Sequence, residues 1–243
     1  MMFALFLGGL FLIACLYSSV GHAGASGYLA WMAILGFAPE EMRPTALVLN
    51  VFVATIATVR FSRVRPRWLF LLFLLAGSAP LAFIGGFVPV SRNVYRPLVA
   101  VVLFAAAVRM LVGKPSETGM TKPSPSPFVL FVTGAVLGLL AGLTGTGGGI
   151  FLTPVLILSQ WMTAREAAAI TAPFVLINSI SGLLGVMAGL QSVPTHLLPA
   201  VGTVALGGFL GSTLGSTWFS DVWLRRALSV VLVIAALKLL FVP

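Results

Sequence analysis

The sequence predicts an all-α polytopic membrane protein made of two inverted-topology repeats, whose glycine-interrupted half-helices meet near the midplane of the bilayer. Three observations predict this fold: an extreme composition, a series of apolar segments, and a glycine-rich break in each half of the chain. Of the 243 residues, 59% are hydrophobic and only 8% are charged, and the mean hydropathy is +1.12. Soluble domains are about half apolar and about a quarter charged, so the composition argues strongly against a soluble fold.

The apolar segments are separated by charged, proline-containing or glycine-rich stretches. They span 3–20, 25–37, 44–61, 67–88, 94–112, 128–143, 147–159, 166–188, 194–215 and 224–242. A helix that crosses a bilayer needs about 20 mainly apolar residues, so most of the chain is used in such helices. No Lys or Arg precedes Arg43, so the first segment lacks the basic flank of a cleavable signal peptide. We expect it to be the first helix of the mature protein.

A polar, proline-containing linker divides the chain into two halves. We predict a first transmembrane repeat over residues 1–112, a cytoplasmic linker over 113–127, and a second transmembrane repeat over 128–243. The Gly-Gly-Phe sequence at 85–87 recurs at 207–209, an offset of 122 residues. The glycines of the two breaks recur at nearly the same offset, which indicates a true internal repeat.

Positive charge predicts the orientation of the chain in the membrane. Four arginines cluster around the loop between the third and fourth segments: Arg60, Arg63, Arg65 and Arg67. Cytoplasmic loops are enriched in Lys and Arg, so this loop is assigned to the cytoplasm. Counting the crossings from there places the N-terminus in the periplasm and Arg43 in an outer loop. An inverted second half puts more cations in the cytoplasm than a second half of the same orientation.

The second and seventh segments are too short to cross the bilayer as helices. Each has about 13 residues, or roughly 20 Å, against a hydrocarbon core of about 30 Å. They follow the glycine-rich breaks at 21–27 and 142–149. Non-helical backbone at membrane depth must be buried in protein or line a wet cavity. Because a helix N-terminus presents unpaired N–H groups and positive dipole, the breaks predict a central anion site. The alternative is that these glycines only allow helices to pack closely.

The candidate substrate-binding residues lie in the two breaks and in the eighth segment. They are His22, Gly24, Ser26, Gly27, Thr144, Gly145, Thr146, Gly147, Gly148, Asn178 and Ser179. Glycines let a ligand approach the backbone, and the hydroxyl and amide side chains add hydrogen-bond donors. Asn178 has an equal alternative role in an interhelical hydrogen bond, and His22 an alternative role as a neutral, hydrogen-bonded side chain. Pro154 and Pro173 are candidate hinges, although membrane helices also tolerate proline for structural reasons.

No catalytic residue, metal site or cofactor is predicted, and we do not expect an enzyme. The acidic residues fall in loops or at helix ends, so no buried carboxylate is available for sodium coupling. We therefore expect uniport, or proton-linked movement through His22. The net charge of +9 is spread over short loops, which predicts no nucleic-acid partner. The expected partners are a small anionic substrate and the lipid bilayer, and a homodimer remains open.

Several motifs resemble the sulfite exporter TauE/SafE family. They are the stretch 144–154 (TGTGGGIFLTP), 165–167 (REA) and 178–182 (NSISG), with a weaker glycine motif at 24–28. The resemblance implies export of sulfite or an organosulfur anion such as a sulfonate, by alternating access, across a bacterial inner membrane. The first half has Ala25, Ser26 and Gly27 where the second has three glycines, so the two breaks need not contact a ligand equally. A passive anion channel and a membrane scaffold subunit are the alternatives.

Overall fold

The computed structural model describes residues 2–19, 23–61, 67–112, 123, 125–189, 194, 197–214, 233, 236–237 and 240. Within these residues the chain is helical and contains no β-strand. The helices are α1 (Met2–Ser19), α2 (Ala25–Leu35), α3 (Pro39–Phe61), α4 (Trp68–Phe87), α5 (Arg92–Val112), α6 (Pro127–Thr144), α7 (Gly149–Leu158), α8 (Ala164–Ala188) and α9 (Leu198–Leu214). The first nine predicted segments and the all-α fold are confirmed. Most of the tenth segment, 224–242, lies outside the described residues.

Four of the described helices are long and apolar enough to cross a membrane, judged by length and composition. These spans are Glu40–Arg60, Trp68–Phe87, Pro127–Thr144 and Glu166–Ala188. Their outer faces carry large apolar side chains, such as Leu69 on α4 and Phe128 on α6, which are 72% and 74% exposed. Exposed apolar surface on this scale is unfavourable in water and favourable against hydrocarbon. The chain is therefore built as a multi-pass membrane protein.

Helices α2 and α7 are half-length helices that reverse the direction of the chain. They contain 11 and 10 residues, which at 1.5 Å per residue is about half of the roughly 30 Å hydrocarbon core. Helix α2 returns along α1, since Trp31 Nε1 donates to the Phe6 carbonyl at 3.2 Å and Phe37 stacks on Phe6. Past the end of α7, Trp161 contacts Phe70 near the start of α4, with 6.2 Å between ring centroids. The two predicted half-helices are confirmed.

Helices α4, α6 and α8 run parallel to one another. Along α6, Gly134 packs on Leu74 and Gly142 on Ala82, so the two helices advance together. Parallel packing of α4 and α8 follows from an ion pair at their starts, Arg67 Nη2 to Glu166 Oε1 at 3.7 Å, and from the packing of their ends. A Cβ at any of these α6 glycines would overlap a carbonyl oxygen of α4. Glycine is therefore required for this close approach, as at other membrane helix interfaces.

Helix α9 runs parallel to α1, while α3 and α8 are antiparallel. Gly207 and Gly211 of α9 pack on successive turns of α1 around Phe11 and Cys15. The antiparallel packing of α3 and α8 follows from the contacts of Asn50 with Ser179 and of Leu47 with Gly182. These two helices are equivalent in the predicted repeat, and their opposite directions are the ones that an inverted repeat requires. The repeat itself, and the division at residues 112 and 128, stay predictions.

Buried apolar side chains form two clusters that differ from the two halves of the sequence. The first core is contributed mainly by α1, α2, α3, α5 and α9, and the second core by α4, α6, α7 and α8. Each half therefore places its fourth helix, α4 or α9, in the core formed by the other half. Val175 of α8 belongs to the first core and joins the two clusters.

Arg43 lies in a helix and not in the outer loop that the sequence predicted. Helix α3 begins at Pro39, so Arg43 lies inside the helix with 3% of its surface exposed, and its assignment to an outer loop is wrong. Its guanidinium donates to backbone carbonyls at the end of α4, those of Gly85, Gly86 and Val88. The last carbonyls of a helix have no intrahelical N–H donor, and they attract cations. This cap, which only the folded bundle supplies, is what makes a buried arginine tolerable there.

Candidate functional site

The first break separates α1 from α2. Helix α1 ends at Ser19, and α2 begins at Ala25 after Gly24, whose φ of +94° lies in the left-handed region. The first backbone hydrogen bond of α2 runs from the Tyr28 N–H to the Gly24 carbonyl at 3.0 Å. The N–H groups before Tyr28 therefore open the helix without an intrahelical acceptor, as at any helix start. These groups are the donors that the sequence predicted for an anion.

The second break separates α6 from α7 and is tighter. Gly145, Gly147 and Gly148 all have positive φ, at +79°, +69° and +82°. Such angles are accessible to glycine at no steric cost and strained for other residues. The Thr144 and Thr146 hydroxyls lie 2.9 Å apart inside this turn. At the start of α7, the N–H groups of Phe151 and Leu152 donate to the Gly148 carbonyl. The N–H groups that precede Phe151 in this helix therefore have no helical acceptor.

A small cavity lies where the two breaks meet. It is lined by Tyr17, Ala23, Gly24, Ala25, Ser26, Thr146, Gly149, Ile150, Thr171 and Val175. The space open to the centre of a water molecule is about 20 Å³, enough for one or two waters, since about 10 to 15 Å³ holds one. The starts of α2 and α7 both contribute residues to its lining, so two helix N-termini converge on one small pocket. Its lining has no acidic side chain.

Hydroxyl groups surround the cavity and are linked in pairs. Tyr17 Oη and Ser26 Oγ are 3.0 Å apart, joining α1 to the start of α2. On the opposite wall, Thr171 Oγ1 of α8 lies 3.0 Å from Thr153 Oγ1 of α7. All four side chains are buried. A hydroxyl both donates and accepts, so each pair can turn a proton toward an anion without moving its heavy atoms.

A second polar cluster borders the second break. Asn50 Nδ2 of α3 donates to the Thr146 carbonyl at 3.3 Å and to Ser179 Oγ at 3.4 Å. A Cβ at Gly147 would lie 2.7 Å from Ser179 Oγ and 2.8 Å from Asn50 Nδ2, so glycine is needed for this approach. Asn178 is fully buried, and its amide oxygen and nitrogen have no hydrogen-bond partner among the described residues. A buried amide without a hydrogen-bond partner is costly.

The structure brings part of the predicted site together. Gly24, Ser26 and Thr146 line the cavity, while Gly147 and Ser179 adjoin it through Asn50. The remaining candidates lie elsewhere or are not described. Thr144, Gly145 and Gly148 shape the second break, Gly27 packs on Ile13 and Tyr17 of α1, and Pro154 and Pro173 lie inside α7 and α8. His22 lies outside the described residues.

Sequence reasoning missed Tyr17 and Thr171 as lining residues. Thr171, Val175 and Asn178 are spaced at i, i+4 and i+7 on α8, which places them on one helix face. Because Asn178 was already a candidate, the residues four and seven positions apart on its helix face are the signal that could have identified Thr171. Tyr17 carries a weaker signal as the last polar aromatic residue before the first break. Among the described residues, no group of three His, Cys, Asp or Glu side chains is close enough to hold a metal ion.

Comparison with known proteins gives one family. A family model described as "Sulfite exporter TauE/SafE" matches residues 5–239. A probable membrane transporter protein of Sinorhizobium fredii is 40% identical over 235 residues, which cover 95% of both chains. A probable membrane transporter protein of Methanocaldococcus jannaschii is 33% identical over 85 residues, or 31% of each chain. No solved structure matches the chain.

Proposed function

The chain belongs to the sulfite exporter TauE/SafE family and is a membrane transporter, and on that premise we propose that it exports a small sulfur-containing anion. The proposed cargo is sulfite or an organosulfur anion such as a sulfonate. The proposed site is the cavity between the two breaks, and the proposed mechanism is alternating access.

One observation supports this proposal: two helix N-termini and several hydroxyl groups converge on one small pocket whose lining has no acidic side chain. The starts of α2 and α7 contribute N–H groups and the positive ends of two helix dipoles, which favour an anion. Tyr17, Ser26 and Thr171 add hydroxyl donors from different directions. A sulfite or sulfonate group has three oxygens that accept hydrogen bonds in different directions, and it fits such a set of donors.

The size of the cavity supports a carrier over an open channel. A volume of about 20 Å³ admits water but must widen to admit a sulfonate. The pocket in this state therefore has room for little more than solvent. A carrier can adopt a state that is too narrow for its cargo, whereas a channel needs a continuous path in its conducting state.

The residues proposed to bind substrate fall into two groups. Gly24, Ser26 and Thr146 line the cavity directly. Asn178, with both amide atoms unpaired among the described residues, lies on the same helix face as Thr171, within two turns of it. We propose that Asn178 contacts the cargo when the cavity widens. Pro154 and Pro173 interrupt α7 and α8 beside this wall and are proposed to let those helices bend.

The proposed location is a bacterial inner membrane, with the central linker in the cytoplasm and the N-terminus in the periplasm. An inside-negative potential supplies about 2.3 kcal/mol per 100 mV for each exported negative charge. That energy is sufficient for uniport of a monovalent anion against a substantial gradient. Coupling to sodium is not needed in this mechanism.

The test is anion flux from proteoliposomes that contain the purified protein alone. Sulfite, methanesulfonate and sulfoacetate are followed at clamped membrane potentials, with and without sodium. Saturable flux with counterflow of labelled anion is expected, in the absence of sodium. Flux without saturation or counterflow would indicate a channel, and strict sodium dependence would contradict uniport. Absence of flux for all three anions would overturn the proposed cargo class.

A further inference from the structure

Arg43 is a buried cation without a carboxylate partner among the described residues. Its side chain and backbone are 3% exposed, inside a helix that is otherwise apolar along most of its length. Within the described residues, the hydrogen bonds of its guanidinium go to backbone carbonyls at the end of α4: Val88 at 3.1 Å, Gly85 at 2.5 Å, and Gly86. The ion pair between Arg67 and Glu166 lies at the opposite end of α4. Carbonyl dipoles balance part of the guanidinium charge, and a net positive charge remains.

This charge lies beside the second break. A Cβ at Gly145 would lie 3.0 Å from the Arg43 carbonyl oxygen and 3.2 Å from its Cα. Because consecutive Cα atoms are about 3.8 Å apart, the Arg43 Cα is within about 9 Å of the Cα of Thr146, a cavity residue. On the other side, a Cβ at Gly85, whose carbonyl Arg43 binds, would lie 2.9 Å from the Leu143 nitrogen near the end of α6.

Polar groups of Tyr95 and of Arg43 itself lie beside the end of α6. Tyr95 of α5 is buried and donates from its hydroxyl to the Thr144 carbonyl at 3.1 Å. This bond fixes the last residue of α6 next to Gly145. The Arg43 Nε atom is buried and has no hydrogen-bond partner among the described residues. The guanidinium is therefore fixed by α4 on one edge and retains a donor on the other.

We propose that Arg43 supplies the fixed charge by which the central site selects its cargo, so that divalent anions bind more tightly than monovalent ones. This inference rests on the proposed function and adds a substrate class to it. Arg43 acts at a distance on the cargo and is not one of its ligands. As a scale for this effect, a unit charge at about 12 Å from an anion in an effective dielectric constant of about 20 changes the affinity for a monovalent anion by roughly tenfold. For a divalent anion the same charge gives roughly a hundredfold.

The experiment compares three ligands that share a sulfonyl group and differ in charge. Sulfoacetate is divalent, methanesulfonate is monovalent and dimethyl sulfone is neutral. Their affinities are measured by calorimetry on the full chain in lipid nanodiscs, for Arg43→Gln and Arg43→Lys. Arg60→Gln is the matched control, because Arg60 lies on the same helix about 25 Å away at 1.5 Å per residue, over the ring of Phe209.

We expect Arg43→Gln to weaken sulfoacetate roughly tenfold more than methanesulfonate and to leave dimethyl sulfone unchanged. Arg43→Lys keeps the charge and is expected to keep most of the preference for sulfoacetate, although it has fewer donors for α4. Arg60→Gln is expected to change neither affinity appreciably. Equal losses for both anions, or a loss in Arg43→Lys as large as in Arg43→Gln, would show that Arg43 only holds α4 and would overturn the inference.

A second pair of variants keeps the test open if Arg43→Gln does not fold. Val88 is 41% exposed, and its carbonyl accepts from Arg43. Val88→Glu adds a carboxylate to the residue whose backbone carbonyl binds the guanidinium and leaves the donors of Arg43 in place, and Val88→Gln is the neutral control. Only Val88→Glu is expected to reduce the preference for sulfoacetate, and an unchanged preference overturns the inference. If the unsubstituted protein binds neither anion, the proposed function fails as well.

Discussion

Asn50, in the middle of α3, donates a hydrogen bond from its side-chain amide to the backbone carbonyl of Thr146 in the second break, at 3.3 Å. The same nitrogen lies 3.4 Å from the Ser179 hydroxyl on α8. One amide thus connects a helix of the first half to both the break and the longest helix of the second half. Asn50 therefore makes an interhelical hydrogen bond to α8.

Replacing Asn50 by Leu is expected to destabilise the second break. The Thr146 carbonyl loses a donor in a buried site, which costs about 1–3 kcal/mol of unfolding free energy. Both stability in mixed micelles and anion flux should fall. Thr55→Val is the control on the same helix, since Thr55 is exposed and donates only to Val51 of its own helix, at 2.6 Å. Equal effects of the two substitutions would contradict the assigned role.

Gly147→Ala is expected to lower both the anion flux and the melting temperature more than Gly36→Ala does. Its φ is +69°, and the added Cβ would meet Ser179 and Asn50 at 2.7 and 2.8 Å. The left-handed conformation alone costs an L-residue about 1–2 kcal/mol. Gly36→Ala isolates that part, because Gly36 has a φ of +82° and open space around it. Flux and melting temperature are compared for both. A Gly147→Ala variant no worse than Gly36→Ala would argue against tight packing at the break.

Removing either hydroxyl of the Tyr17 and Ser26 pair is expected to weaken sulfite binding. The two oxygens are 3.0 Å apart in the cavity wall. Loss of one neutral hydrogen bond is worth about 0.5–1.5 kcal/mol, or roughly 2- to 10-fold in affinity. Tyr17→Phe, Ser26→Ala and the double variant form a cycle whose coupling energy is measured by calorimetry.

Ser212→Ala is the control for that cycle, because Ser212 donates to the Phe209 carbonyl of its own helix at an exposed position. It should leave sulfite affinity unchanged. Additive effects of Tyr17→Phe and Ser26→Ala would mean that the two hydroxyls act on the anion independently. No effect from either variant would remove the cavity from the binding site.

The start of α8 gives a prediction about stability alone. Thr163 caps this helix in a capping box, with its hydroxyl and the Glu166 carboxylate each accepting a backbone N–H of the other residue. Thr163→Ala is expected to cost about 1 kcal/mol of unfolding free energy. Glu166→Gln keeps the box and removes the charge that pairs with Arg67 in a partly exposed site, which is worth about 0–1 kcal/mol. A larger loss in Glu166→Gln than in Thr163→Ala would reverse this ranking.

Helix number, helix length and the two breaks follow from the sequence because local physics determines them. An apolar run must be helical in a membrane, and a cluster such as Gly147 to Gly149 cannot sustain a helix of normal stability. Helix α2 begins at the predicted residue, Ala25, and α7 begins within two residues of the predicted start at 147. These features need no knowledge of neighbouring helices.

The position of Arg43 and the lining residue Tyr17 depend on tertiary packing, and the sequence does not show them. Arg43 reads as a loop cation because it follows Glu40 and Glu41, yet these residues form the first turn of α3. Its burial depends on the carbonyls at the end of α4, more than forty residues later. In the sequence, Tyr17 is one more residue of an apolar helix. Its role in the pocket wall depends on α2, which folds back along α1 and brings Ser26 to its hydroxyl. Long-range partners of this kind have no local sequence signal.

Helices α4 and α9 each pack into the core of the opposite half, and this has a consequence for biosynthesis. When the ribosome releases α4 into the bilayer, the two helices that cover its small-residue face, α6 and α8, have not yet been made. The nascent chain must hold α4 among lipids or an insertion chaperone until the later helices arrive. The two halves thus exchange one helix each, and neither half expressed alone would have a complete hydrophobic core.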